Sequence, residues 1–319
     1  MNRLVVAMFS ISILVPRAQL VFAQNYPTKP IRIVTNNAGG GADMVARLIA
    51  QGITGPLRQQ VVVDNRPAGI IPVEIVSKSL PDGYTLHLAS NALWILPLLQ
   101  NVPYDALRDL SPIILVATSP QVLVVHPSLP VKSTRDLIIL GKSRPGALNY
   151  ATALTGTASH LAAELFKSMA GINMVRVNYN GAGATLTTDL IDGQVQLAFV
   201  TGTSVMPLVK LGKLKALAVT SAKPSALYPA LPTVAASGLP GYEVANSYGM
   251  FAPAKTPPTI INRLNQEIQR AVNQADLTNK FFNIGVETAG GTPEQLAAVM
   301  KSEIIRMGKV IKDAGIREE

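Results

Sequence analysis

The stretch Ile31-Arg32-Ile33-Val34-Thr35-Asn36-Asn37-Ala38-Gly39-Gly40-Gly41-Ala42-Asp43 decides the fold. Its first five residues form a short apolar run of strand type, and small residues follow. Across 42–53, Val45, Leu48, Ile49 and Ile53 then fall on one face of a helix. A strand, a small-residue loop and a helix start in series predict one half of a parallel βα unit. The series recurs at Thr152-Ala153-Leu154-Thr155-Gly156-Thr157-Ala158 and at Asn180-Gly181-Ala182-Gly183-Ala184-Thr185. Small side chains let a ligand approach the backbone, and the free N–H groups of the first helical turn face it. The macrodipole adds about 0.3–1 kcal/mol per terminus toward an anion, and hydrogen bonds to a charged group about 1.5–3 kcal/mol each. One such loop reads as an ordinary tight turn. Three of them in two predicted sheets read as a binding site for a carboxylate or phosphate.

Working outward, the alternation continues. Strands are predicted at 61–63 and 85–89, with a helix at 73–80 between them. Two strands are expected in quick succession at 113–117 and 122–125, followed by a helix at 133–142. A strand at 148–151 leads to a helix at 158–170, and one at 175–177 to a helix at 185–192. Strands at 196–200 and 216–219 flank a short helix at 205–211. The expected class is α/β, with mostly parallel sheets flanked by helices on both faces. The last third differs. After one strand near 248–252, Ile260, Ile261, Leu264, Ile268 and Val272 stripe a helix at 257–274. The final helix has Thr292 at its N-cap, Pro293 at N1 and Gln295 at N3, which predicts a capping box. Its apolar stripe is Leu296, Val299, Met300, Ile304, Met307 and Ile311, and Gly315 is its expected stop.

Composition narrows the function. The chain has 319 residues, about two domains' worth, and needs no staple to bury a core. It has no cysteine, which excludes thiolate zinc sites, iron–sulfur clusters, thiol nucleophiles and disulfides. The formal charge is +9. The basic residues are dispersed; Lys210, Lys213 and Lys215 form the densest group, without interleaved aromatics, so no nucleic-acid partner is expected. A diffuse positive field suits small anions, and serves equally for solubility alone. Residues 1–23 read as a cleaved secretory signal: Arg3, an apolar run at 4–15, then Val21-Phe22-Ala23. That run is too short for a membrane anchor, which needs about 20 residues.

Enzyme signatures are missing. Gly39-Gly40-Gly41 is followed by no Gly-Lys-Ser/Thr, and Met44 stands where a dinucleotide fingerprint needs its third glycine. There is no His-Glu-x-x-His and no Gly-x-Ser-x-Gly. His87, His126 and His160 are far apart in sequence. His87 lies in a strand run and reads as a packed histidine. His160 begins a helix beside the second loop, where local capping is the commoner role and cleft-facing the alternative. Trp94 reads as core before stacking wall.

The chain resembles the exported solute-binding proteins of tripartite tricarboxylate transporters, the Bug-type proteins, from about Tyr26 to Ile316. The resemblance rests on Val63-Asp64-Asn65-Arg66-Pro67, Pro81-Asp82-Gly83-Tyr84-Thr85-Leu86 and Val102-Pro103-Tyr104-Asp105. It rests also on Leu148-Asn149-Tyr150-Ala151 with Gly156-Thr157 and His160-Leu161-Ala162, then on Glu164-Leu165-Phe166-Lys167. Gly212-Lys213-Leu214-Lys215-Ala216-Leu217-Ala218-Val219-Thr220-Ser221 and Leu231-Pro232-Thr233-Val234 complete it.

The resemblance implies a two-domain clamshell in the periplasm that binds a small carboxylate and delivers it to membrane permease subunits. It implies a monomer with no cofactor and no metal. Domain 1 is expected at 26–120 plus 225–319 and domain 2 at 121–224, with hinges near 118–121 and 221–225. The implied ligand-binding residues are Asn37, Ala38, Gly40, Gly41, Asp43, Ser90 and Asn91 in domain 1. In domain 2 they are Thr152, Thr155, Gly156, Thr157, Gly183 and Thr201. The chain departs from the pattern at several ligand-facing places. Thr35-Asn36 replaces the usual Pro-Phe, Ala68-Gly69-Ile70-Ile71-Pro72 replaces a Gly-rich stretch, and Ala153-Leu154 replaces smaller residues. Val200 stands where an Asp is common, which favours a plain carboxylate over an amino acid. The rival classes are a hydrolase or isomerase using His160 or Asp43 as base, and a scaffold or sensor that has lost its ligand.

Overall fold

The computed structural model describes residues 26–67, 69–152, 156–179 and 184–316. The predicted signal at 1–23 and most of the second and third loops (153–155 and 180–183) lie outside them. The first expectation is met closely. Strand β1 (Ile31–Thr35) leads to helix α1 (Gly41–Leu57), β2 (Val61–Asn65) to α2 (Ile70–Ser77), and β3 (Thr85–Ser90) to the single-turn α3 (Ala92–Ile95). The long β4 (Leu110–Val125) precedes α4 (Thr134–Ser143), β5 (Asn149–Thr152), α5 (Ala158–Ala170), β6 (Val175–Asn178) and α6 (Ala184–Ile191). Next come β7 (Leu197–Thr201), α7 (Gly202–Lys210), β8 (Lys215–Val219) and β9 (Ala245–Pro253). The chain closes with α8 (Pro258–Val272), α9 (Ala275–Asn283), β10 (Glu287–Thr288) and α10 (Pro293–Asp313).

The fold is α/β, as expected, with one difference in direction. The strands run in the order β2-β1-β3-β9-β4-β7-β5-β6, with β8 and β10 also pairing β4. Neighbours are parallel within β2-β1-β3 and within β7-β5-β6. The strands β9, β4, β8 and β10 join by antiparallel ladders. Apolar periodicity marks a strand but carries no direction, so only pairing reveals this.

The two strands expected at 113–117 and 122–125 are one strand of 16 residues. Pro120, between the two expected strands, lacks an N–H for the ladder. In β4 that gap falls where the partners change. Leu110–Pro120 pairs with β9, and Gln121–Val125 pairs with β7 and β8. One strand therefore runs through both halves of the molecule. Helix α2 starts three residues before its expectation. Pro72 sits in its first turn, where the backbone N–H groups lack helical partners anyway, and Leu80 is left exposed beyond its end. Helix α9 escaped the sequence reading because it buries only Leu277 and Phe281, too few for a periodic signal.

Packing follows the stripes. Ile260, Ile261, Leu264, Ile268 and Val272 of α8 are buried with Val45, Ile49 and Ile53 of α1 against Ile31, Ile33 and Leu86 of the first sheet. Each such side chain contributes roughly 1.5–3 kcal/mol of burial. In the other half, Phe166, Phe199 and Tyr242 form an aromatic trio with ring centroids 5.5–6.5 Å apart. The Tyr242 hydroxyl donates to the Ala162 carbonyl at 2.8 Å. The capping box of α10 is present: Gln295 N–H donates to Thr292 Oγ1 at 3.3 Å, and Thr292 N–H to Gln295 Oε1 at 2.8 Å.

Candidate ligand-binding site

The first loop leaves β1 at Thr35 and enters α1 at Gly41. Gly39 takes a left-handed conformation (φ +81°), and a Cβ on Gly41 would fall 2.5 Å from the Tyr248 hydroxyl, so the loop needs glycine at both. Asn37, Ala38, Gly40 and Gly41 are exposed. Asp43 is not. It is 3 % exposed, and its carboxylate accepts the Gly39 N–H at 2.9 Å, Asn65 Nδ2 at 2.8 Å and Arg47 Nε at 2.9 Å. Burial pushes this carboxyl up, but the hydrogen bonds from Gly39, Asn65 and Arg47 outweigh it and hold it below its ordinary value. Asp43 builds the loop; in this arrangement it presents no free oxygen pair as a base.

The second loop is visible at its end. Gly156 is left-handed (φ +78°), and a Cβ there would lie 2.3 Å from Leu99 Cδ1 across the molecule. Leu99 follows a 3₁₀ turn at Leu96–Leu98 that continues α3. The Gly156 N–H donates to His160 Nδ1 at 3.1 Å, and His160 is 2 % exposed. Desolvation, then the charge of Arg176, presses the His160 pKa down to about 4, so the ring is neutral and its Nδ1 an acceptor. It pins the loop, which is the local role weighed first. His87 is packed, as read: it is 2 % exposed, and Nδ1–H donates to the Val34 carbonyl at 3.0 Å. Burial lowers its pKa to about 4.

A cavity of about 230 Å³ brings four of the sequence-predicted residues together: Ser90 and Asn91 at the end of β3, and Gly156 and Thr157 at the start of α5. A smaller space of about 40 Å³ links Ser90 to Asn36 and Gly69 beside the first loop. Thr152 is fully buried at the end of β5, and Thr201 pairs with Gln121 at the end of β7; neither lines either space. Thr155 and Gly183 lie outside the described residues.

Sequence reasoning missed the far wall of the larger cavity, formed by Glu243, Asn246, Glu303, Arg306 and Met307. Glu303 is 8 % exposed, and its carboxylate accepts Trp94 Nε1 at 2.9 Å, Ser247 Oγ at 3.0 Å and Asn91 Nδ2 at 3.4 Å. Desolvation raises its pKa, against the hydrogen bonds from Trp94, Ser247 and Asn91. The signal was present in sequence: Glu303 stands three residues after Met300 and four before Met307, on the buried face of α10. Trp94 is core, 1 % exposed, with its indole N–H tied to that carboxylate.

Glu303→Ala should cost about 2–4 kcal/mol, because it leaves the buried Trp94 and Ser247 donors unsatisfied. Denaturant unfolding of the two proteins checks this; a change under about 0.5 kcal/mol would show that the carboxylate is dispensable to α3, β9 and α10.

Among the described residues no group of three or more His, Asp or Glu side chains is placed to hold a metal ion. No described helix is long and apolar enough to cross a membrane.

Fold and cavity together define a two-domain α/β solute-binding protein of the periplasmic type. The chain belongs to the tripartite tricarboxylate transporter receptor family, TctC, whose profile matches residues 45–316. It is 37% identical over 300 residues to a Pseudomonas sp. (strain P51) protein described as "UPF0065 protein in tcbD-tcbE intergenic region", covering 92% of this chain and 88% of that one. Among solved structures it is similar to R. palustris Rpa4515 with adipate, at 36% identity and a TM-score of 0.73, covering 92% of this chain and 99% of that one. It is also similar to the periplasmic binding protein BugD, at 30% identity and a TM-score of 0.70, covering 92% and 100%.

Proposed function

We propose that this chain is an exported solute-binding protein that captures a small carboxylate in the 230 Å³ cavity and delivers it to the permease subunits of a tripartite transporter. One observation carries the reading: a single cavity is lined by Ser90 and Asn91 from one half and by Gly156 and Thr157 from the other. Its volume lies below the roughly 300–1,000 Å³ of drug-sized pockets, which suits a small metabolite. The similarity to a structure holding adipate supports a carboxylate. Export through a signal cleaved after Ala23 places the mature chain in the periplasm.

The lobes of the clamshell are 26–120 with the C-terminal elements, and 121–224 with the segment that follows. The outward crossing lies at Pro120 within β4. The return crossing fits Val244-Ala245 better than 221–225, because Tyr242 is packed on Phe166 and Phe199 and β9 begins at Ala245. Closure of two lobes on one ligand is the motion such a division permits. His160 and Asp43, the bases an enzyme would need, are both engaged in holding their loops.

A thermal-shift panel of carboxylates, sugars and amines tests the function. Ligand at about 100 times its dissociation constant adds roughly 2.7 kcal/mol, a rise of several degrees. Carboxylates should give that rise. Stabilisation by sugars or amines with none by any carboxylate would overturn the reading.

A further inference from the structure

Among the described residues three charged side chains line the 230 Å³ cavity, Glu243, Glu303 and Arg306, and they are not equivalent. Glu303 is fixed by Trp94, Ser247 and Asn91. Arg306 and Glu243 form a pair, Nη1 to Oε2 at 2.7 Å, with side chains 23% and 42% exposed. The pair is imperfect. Arg306 Nε is buried and has no hydrogen-bond partner among the described residues. A guanidinium satisfied by a carboxylate across its fork would use Nε or a second amino group as well; here one contact is made and a buried donor is left over. A buried orphan donor disfavours the arrangement that contains it. Glu243, nearly half exposed, can turn to water at little cost.

We propose that Arg306 is the residue that reads a second carboxylate on the ligand, exchanging its contact with Glu243 for a two-point contact with that group. The inference rests on the carboxylate-binding function proposed above. One ligand carboxylate lies at the Gly156-Thr157 end of the cavity, and the other reaches α10. The charge balance requires this order. A dianion entering beside Glu243 and Glu303 meets two like charges, and Arg306 is the one cation among the described lining residues. When Glu243 swings out, the repulsion falls and the guanidinium gains its missing acceptor. A monocarboxylate needs only the first end and leaves the Arg306–Glu243 pair in place. Arg306 is thus a specificity residue that separates diacids from monoacids, and Glu243 is its internal competitor.

The experiment is calorimetric titration of the full mature chain with succinate, glutarate and adipate, each against its monoacid of equal length: butyrate, pentanoate and hexanoate. Wild type, Arg306→Gln and Glu243→Gln are compared, with circular dichroism confirming that the variants fold. Arg306→Gln should weaken diacid binding about ten- to hundredfold, the weight of one charge-assisted contact, and change monoacid binding less than about threefold. Glu243→Gln should tighten diacids severalfold, because the competitor's charge is gone. A merely structural salt bridge would make the two variants behave alike. Unchanged diacid affinity in Arg306→Gln, or equal losses for diacids and monoacids, would overturn the role of Arg306 while leaving carboxylate binding intact. Wild type that binds neither series would overturn the carboxylate reading, and this inference with it.

Discussion

Gly156→Asp is expected to remove carboxylate binding, by at least a hundredfold, from a chain that still folds. The residue sits at the meeting point of the two halves. Its φ of +78° is a conformation that aspartate tolerates better than most residues, so the backbone need not move far. The side chain has no such freedom. A Cβ falls 2.3 Å from Leu99 Cδ1, so Leu99 must shift, which it can do because the contact is the far end of a flexible side chain. The carboxylate then stands at the start of α5, in the space where the ligand's own carboxylate is proposed to lie. Like charges in close approach and lost volume act in the same direction. The stability change should stay within the common range of about 0.5–3 kcal/mol. Gly156→Ala separates the two causes, since it displaces Leu99 without adding charge; it should lose affinity by about tenfold. Calorimetry with a carboxylate that binds the wild type reads both. Wild-type affinity in folded Gly156→Asp would show that this loop does not face the ligand.

Leu99 also explains why the sequence could only half-describe this site. Nothing in the sequence neighbourhood of Gly156 points to a packing partner for its loop. Its contact comes from a residue 57 positions earlier, and no local pattern encodes that. The same contrast holds across the molecule. Strand β1, helix α5 and the capping box at Thr292 were legible because the signals that make them are local: an apolar run, a helical stripe, an Oγ within reach of an N–H three residues on. The continuity of β4 was not, because Pro120 breaks a ladder only when its partner strand continues, and here the partner changes at that point. In the site, Gly156 and Thr157 come from strand–loop–helix punctuation, Ser90 and Asn91 from the family resemblance, and all four meet in one cavity. Glu303 and Arg306 reach it from α10, and Glu243 from the segment just before β9. Asp43 stands among the ligand contacts that the family resemblance implies; its place four residues after Gly39 lets it turn back and accept the Gly39 N–H.

Acid should destabilise this protein well above the pH at which its carboxylates protonate. His87 and His160 are each 2 % exposed, with pKa values pressed from 6.5 to about 4, chiefly by burial. The unfolded chain binds a proton at each near pH 6.5, and the folded chain does so only near 4. Stability from each histidine is therefore complete above pH 6.5 and is lost as pH falls toward 4, by about 3 kcal/mol per site. Asp43 does not contribute in this window, because its lowered pKa matters only below its ordinary 3.8. Glu303 acts the other way: its raised pKa favours the folded state at low pH and costs stability as pH rises above 4.5, which offsets part of the loss. His87→Gln isolates one site, since an amide can still donate to the Val34 carbonyl but does not titrate. Between pH 7.5 and pH 4.5, the wild type should lose about 2–3 kcal/mol more than this variant in denaturant unfolding. Equal losses would mean that His87 is not held neutral by burial. His87 borders the small space shared with Asn36 and Ser90, and Thr35 Oγ1 donates to the Leu88 carbonyl at 2.9 Å across the same β1–β3 seam. The folded chain protonates His87 only near pH 4, so the seam beside the first loop keeps its neutral imidazole across the range in which the fold loses stability.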